Sequence, residues 1–270
     1  MKNSLFPQRI ICLTEEPTEI LYLLGEQDRI IGISNYTVRP PQAPIEKQKV
    51  SAFVQANIKK IIALKPDLVI GFSDIQASIA NELIASGITV LINNHRSLAD
   101  IFKVIVQIGS LVGKSDQAIQ LVAEYHQNIE NMVSDNTKYK IKPKIYFEEW
   151  FDPIISGICW VSEIIEKAGG LDIFSENRKA SLAKDRIIKD PNTIVNLNPD
   201  IILASWCGKK FKKDQLVKRE NWGSINAVMN NFVFEIPSSI ILQPGPAAIT
   251  DGMKTISNII SNWHSNRLNK

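Results

Sequence analysis

The sequence predicts an α/β protein of two lobes, each built on a parallel sheet, with one long helix running from one to the other. Three observations predict it. Short apolar runs that lack in/out alternation are separated by helical patterns, as strands covered on both faces of a parallel sheet require. Two passages recur in the same order about half a chain apart. Between them lies an uninterrupted amphipathic stretch, residues 115–136.

The strands are read in order as "RIICL" (9–13), "RIIGIS" (29–34), "DLVIGF" (67–72) and "TVLIN" (89–93), then "KIYFE" (144–148), "DIILASW" (200–206) and "NFVFEI" (231–236). "IIALKPDLVIGF" (61–72) is echoed by "IVNLNPDIILAS" (194–205): a helix ends, Pro-Asp turns, and a buried strand follows. "RIICLTEEPTEILYLLG" (9–25) is echoed by "KIYFEEWFDPIISGICWVSEIIEKAGG" (144–170), each read as strand, acidic loop, helix and a terminating Gly. In 115–136, Ala118, Leu121, Val122, Tyr125, Ile129, Met132 and Val133 fall at helical spacing after Ser115, a good N-cap. The domains are therefore placed at 1–111, a bridging helix at 112–138, and 139–270.

Composition excludes several classes. A net charge of +3 does not suit nucleic acid, and no apolar run reaches the roughly 20 residues of a membrane span. Cys12, Cys159 and Cys207 show no CxxC spacing, so neither a disulfide framework nor a zinc knuckle is expected. His95, His126 and His264 are scattered, so no metal site and no cofactor needed for folding is expected. "MKNSLFPQRIICL" has no apolar leader core and no cleavage site, which places the chain in the cytoplasm, or in the periplasm if a leader has been removed.

Ligands of open parallel sheets bind beyond the carboxyl ends of the strands. In the first lobe those positions hold Thr14, Glu15, Glu16, Tyr36, Phe72, Ser73, Asp74 and His95. In the second they hold Glu148, Glu149 and Trp150, then Trp206, Cys207 and Lys209 in "SWCGKKF", then Gln243 in "LQPGP". Rings beside a few polar groups suit a large, flat, partly apolar ligand. Strand alternation keeps Glu148 and Glu149 from facing one way, so one is assigned to ligand and the other to a cap or an ion pair. The stretch "GKKFKKDQLVKRE" is read as a solvated basic face.

"RIICLTEEPTEILYLLG", "IIGISNYTVRPPQA", "IKKIIALKPDLVIGF" and "AGGLDIF" resemble the substrate-binding proteins of vitamin B12 and iron-siderophore importers, and a leaderless cobalamin-binding-like subgroup of that superfamily in particular. The resemblance implies two Rossmann-like lobes joined by one rigid helix, with a corrinoid or another metal chelate held between them. It implies ligand contacts for Tyr36, which matches an aromatic of the corrin pocket, and for Phe53 and Phe72, which stand where that branch has tryptophans. At the two positions where importing members present an acid to the membrane transporter, this chain has Lys59 and Asn192. A lysine there repels an arginine socket, which argues against an ABC transporter membrane subunit as partner.

The function expected is non-covalent binding of a corrinoid, with an iron-siderophore or other tetrapyrrole next. Two alternatives stay open. One is an enzyme on the same scaffold, modifying or metallating a tetrapyrrole-like ligand with Glu148, Glu149 and Cys207. The other is a conventional importer binding protein whose leader is missing.

Overall fold

The recurrent Pro-Asp turns organise both sheets of the chain, whose computed structural model describes residues 5–268. Among the described residues two compact units form: 5–95, 99–124 and 244–246 in one, and 96–98, 125–243 and 247–268 in the other.

The first unit contains β1 (Ile10–Cys12), α1 (Glu15–Leu23), β2 (Ile30–Ser34), α2 (Ala43–Glu46), β3 (Lys49–Ser51), α3 (Ile58–Ala63), β4 (Leu68–Phe72), α4 (Ala77–Ala85) and β5 (Val90–Asn93). Its strands are all parallel, in the order β3-β2-β1-β4-β5. Both faces are covered, and Ile11, Leu13, Val69, Ile79 and Leu83 form part of one apolar core. That burial on both sides is why the strand sequences carry no alternation. β3 was not legible as a strand, since Lys49-Val50-Ser51 contains a single apolar residue.

Two helices follow, α5 (Leu98–Leu111) and α6 (Ser115–Asn136). The second is the predicted joining helix, with residues up to Glu124 in the first unit and those from Tyr125 in the other. At 1.5 Å per residue it is about 33 Å long.

The second unit continues with β6 (Lys144–Trp150), β7 (Ile155–Ser156), α7 (Cys159–Lys167), β8 (Leu171–Asp172), α8 (Asn192–Leu197), β9 (Ile201–Ala204), α9 (Lys213–Val217), α10 (Asn226–Met229), β10 (Val233–Glu235), α11 (Ser238–Ile241) and α12 (Met253–Leu268). The order β10-β9-β6-β7 is parallel except for β7, which runs antiparallel to β6, while the short β8 pairs with the start of β6. Tyr146, Ile194, Ile202, Trp222 and Val233 anchor its core.

The echo in the sequence has a physical basis. In the first unit Asp67 accepts the N–H of Arg9 at 2.9 Å, and the Arg9 side chain donates to the carbonyl of Leu64. In the second, Asp200 accepts the N–H of Lys144 at 2.9 Å, and Lys144 Nζ donates to the carbonyl of Leu197. The residue before each proline, Lys65 or Asn198, has a left-handed φ of 50° or 47°. The same turn thus clamps the start of each central strand. The terminating glycines recur as well: Gly25 after α1 (φ 72°) and Gly169 after α7 (φ 97°) take the left-handed conformation that ends a helix.

The second echo is looser than the sequence suggests. Glu15 and Glu16 open α1, whereas Glu148 and Glu149 lie inside strand β6, and the β6–β7 hairpin precedes α7.

Candidate ligand-binding site

At the carboxyl edge of the first sheet, Gln76 is the organising residue. Fully buried, it accepts the Phe72 N–H through Oε1 (2.9 Å) and donates through Nε2 to the carbonyl of Phe53 (2.9 Å). It therefore sets the two aromatic positions that the sequence resemblance singled out. Directly after Phe72, Ser73 has φ 71° and ψ 158°, a region nearly confined to glycine, so the end of β4 is strained. Phe72 is buried with its ring edge toward His95 at 4.9 Å, Phe53 is half-buried, and Tyr36 is 55% exposed. His95 Nε2 carries the proton that meets the Pro244 carbonyl at 2.8 Å, because a carbonyl only accepts. That bond fixes the Pro244–Pro246 segment on the first unit. There Gly245 lies so close to α1 that a Cβ would sit 2.6 Å from that of Glu16.

Glu15 and Glu16 are both buried in the first turn of α1. Thr14 Oγ1 donates to Glu16 Oε1 at 2.7 Å, while Oε2 of each acid meets no donor among the described residues. Burial pushes Glu15 up to about 8, reinforced by the neighbouring Glu16. Burial likewise pushes Glu16 up to about 7, against the hydrogen bond from Thr14.

At the carboxyl edge of the second sheet the two acids of β6 turn to two arginines. Glu148 is fully buried: its carboxylate receives two bonds from Arg219 (2.5 and 3.1 Å), the Tyr146 hydroxyl (3.0 Å) and Trp206 Nε1 (3.0 Å). Burial raises its pKa and Arg219 pulls it back. Glu149 is held bidentately by the buried Arg186 (2.6 and 3.0 Å), which also donates to the Ser156 carbonyl. The expectation of one acid for ligand and one for an ion pair is corrected here: both form ion pairs, and Glu148 has no exposed atom to offer. Arg219 likewise leaves the basic face assigned to "GKKFKKDQLVKRE" and turns inward.

The rings form a cluster. Trp206 is buried edge-to-face against Phe151 and Phe211, both at 4.9 Å, so it backs the surface instead of presenting its own face. Trp150 is half-buried, with Nε1 donating to the Asp152 carbonyl. Lys209 Nζ stands 4.2 Å from the Phe151 ring centre and Arg219 lies 4.9 Å from it. Cys207 is exposed and Gln243 half-buried. The sequence reading missed Gln76, Phe151, Arg186 and Arg219. Two adjacent acids in a buried strand were the available signal, but their partners lie 37 and 71 residues away.

Residues 10–240 match the family model described as periplasmic binding protein. The chain belongs to the periplasmic binding protein family. Among this binding protein's relatives is an ABC transporter substrate-binding lipoprotein of Bacillus subtilis, 27% identical over 94% of this chain and 80% of its own. A vitamin B12-binding protein of Vibrio campbellii is 29% identical over 88% of this chain and 84% of its own. A periplasmic haem-binding protein from Roseiflexus sp. RS-1 has the same fold, with a TM-score of 0.78 at 20% identity over 94% of this chain and 99% of that one.

Two expectations change. The cytoplasmic location is overturned, because the family is periplasmic and a relative is a lipoprotein. The leader reading also rested in part on residues 1–4, which lie outside the described residues. The argument from Lys59 and Asn192 against a membrane transporter finds no support, since that lipoprotein is named for an ABC transporter.

Proposed function

We propose that this periplasmic binding protein carries a corrinoid for an ABC importer and does no chemistry on it. The observation that carries the reading is the supply of aromatic surface at the carboxyl edges of the sheets: Tyr36 and Phe53 on the first unit, Trp150 and Phe151 on the second. Rings of this kind bury the faces of a macrocycle, and Lys209, Cys207 and Gln243 are the groups proposed for its polar rim. The vitamin B12-binding relatives support the corrinoid choice. Haem or an iron chelate is the second reading, favoured by the exposed thiol of Cys207 and by the haem-binding neighbour. Binding is preferred to catalysis because Glu148 and Glu149, the acids an enzyme would use, are each committed to an arginine.

Titration of the purified protein with cyanocobalamin, and separately with haemin, followed by absorption, tests this. Cyanocobalamin is expected to saturate. Tyr36→Ala, at an exposed position that the fold does not need, is expected to weaken it about tenfold, the worth of one stacked ring. Saturation by haemin alone would select the second reading, and no response to either would remove both.

A further inference from the structure

A hollow of about 630 Å³ opens on the outer edge of the first unit's sheet. It falls within the size range of small-molecule sites, about 300–1,000 Å³. Its charged side chains are Lys49, Lys59 and Lys60, and no carboxylate lines it. Neither Lys49 nor Lys59 pairs with an acid among the described residues, whereas Lys60 Nζ is steered across the edge by the Lys49 carbonyl at 2.7 Å.

The amides of Asn35, Gln55 and Asn57 line the hollow beside these lysines. Asn57 Oδ1 is occupied by the Lys60 N–H at 3.0 Å, which leaves its NH₂ to donate. The backbone of β3 offers little, because residues 55–57 fold back on it: Ala52 N–H meets the Gln55 carbonyl and Asn57 N–H meets that of Val50. The open edge is thereby closed to another strand, and recognition falls to side chains. A hollow with three ammonium groups, amide NH₂ donors and no carboxylate complements anionic oxygen.

We propose that this hollow is a second binding site, for a small multivalent oxyanion held by Lys49, Lys59 and Lys60.

Isothermal titration with citrate and with inorganic phosphate, at low ionic strength, is the test. The variants are Lys59→Ala, Lys49→Ala and Lys59→Arg, with Lys254→Ala in the second unit as the charge control. At least one anion is expected to saturate and to shift the backbone amide resonances of residues 57–60. Each alanine variant at the hollow is expected to bind about tenfold more weakly, the loss of one charge-assisted hydrogen bond. Lys59→Arg and Lys254→Ala are expected to stay within about twofold, a difference of under 0.5 kcal/mol. Absence of saturation with both anions overturns the proposal, as does equal binding by all variants. Binding of an Asp/Glu-rich peptide where both anions fail would overturn it in favour of a protein-docking surface. Unchanged cyanocobalamin binding in the same variants separates this outcome from failure of the corrinoid reading.

Discussion

Arg219→Met removes one partner of the enclosed Glu148–Arg219 ion pair. Glu148 has no solvent exposure, and two of its four hydrogen bonds come from the Arg219 guanidinium. Methionine keeps much of the side-chain volume between Phe151 and Trp222, whose ring centres lie 4.9 and 4.6 Å from the guanidinium. What it cannot keep is the charge. The carboxylate is then left with the Tyr146 hydroxyl and Trp206 Nε1, and stranding a buried charge in this way costs about 3–5 kcal/mol. With a urea slope of about 2 kcal/mol per molar, the midpoint falls by about 2 M.

The assay is well placed, because all five tryptophans, Trp150, Trp160, Trp206, Trp222 and Trp263, belong to the second unit. Their fluorescence reports its unfolding alone. Glu148→Gln added to Arg219→Met removes the stranded charge and is expected to bring stability back to within about 2 kcal/mol of the parent. The loss in the single variant should also shrink as pH falls. Burial already raises the Glu148 pKa, and without Arg219 it rises further, so acid neutralises the offending group. A single-variant loss under about 1 kcal/mol, with no rescue in the double, would refute the reasoning.

Two further predictions concern the first unit. Glu15 and Glu16 are raised to about 8 and about 7 from an ordinary value of 4.5. The folded state therefore holds protons that the unfolded chain releases, and stability present below 4.5 is lost as pH rises through about 7–8. Glu16→Gln is expected to flatten that decline in thermal melts followed by far-ultraviolet circular dichroism between pH 5 and 9, and a variant as pH-sensitive as the parent would exclude the cause given. Gly245→Ala brings a Cβ to 2.6 Å from the Glu16 Cβ, on helix backbone that yields little. It is expected to cost about 1–3 kcal/mol in the same melts, and a silent substitution would mean that the two segments do not touch as described.

The fold was legible because its signals are local. "KPD" and "NPD" specify a turn by the chemistry of three adjacent residues, and the turns they make are alike down to the sign of φ at Lys65 and Asn198. The strands β1, β2, β4, β5, β6, β9 and β10 announced themselves by apolar runs, and α6 by its period. The antiparallel β7 and the short β3 and β8 did not, because each contains a single apolar residue and is held in place by its neighbours.

The candidate site was legible only in outline. Glu148 and Glu149 were visible as acids near rings, but the sequence could not say that each was already taken. Tyr36 and Trp206 looked equivalent as aromatics at strand ends; one is largely exposed and the other almost wholly buried.

By itself the sequence determined the longer apolar strands, the repeated α/β unit and the joining helix, since propensity, period and turn chemistry act between residues close in the chain. Only the tertiary structure decided which charges are spent internally and which remain for a ligand. Gln76 bonds groups 4 and 23 residues away, Arg186 and Arg219 bond acids 37 and 71 residues away, and His95 bonds a carbonyl 149 residues away. A charge or a donor is satisfied by whatever the fold brings within about 3 Å, and distance along the chain says nothing about that.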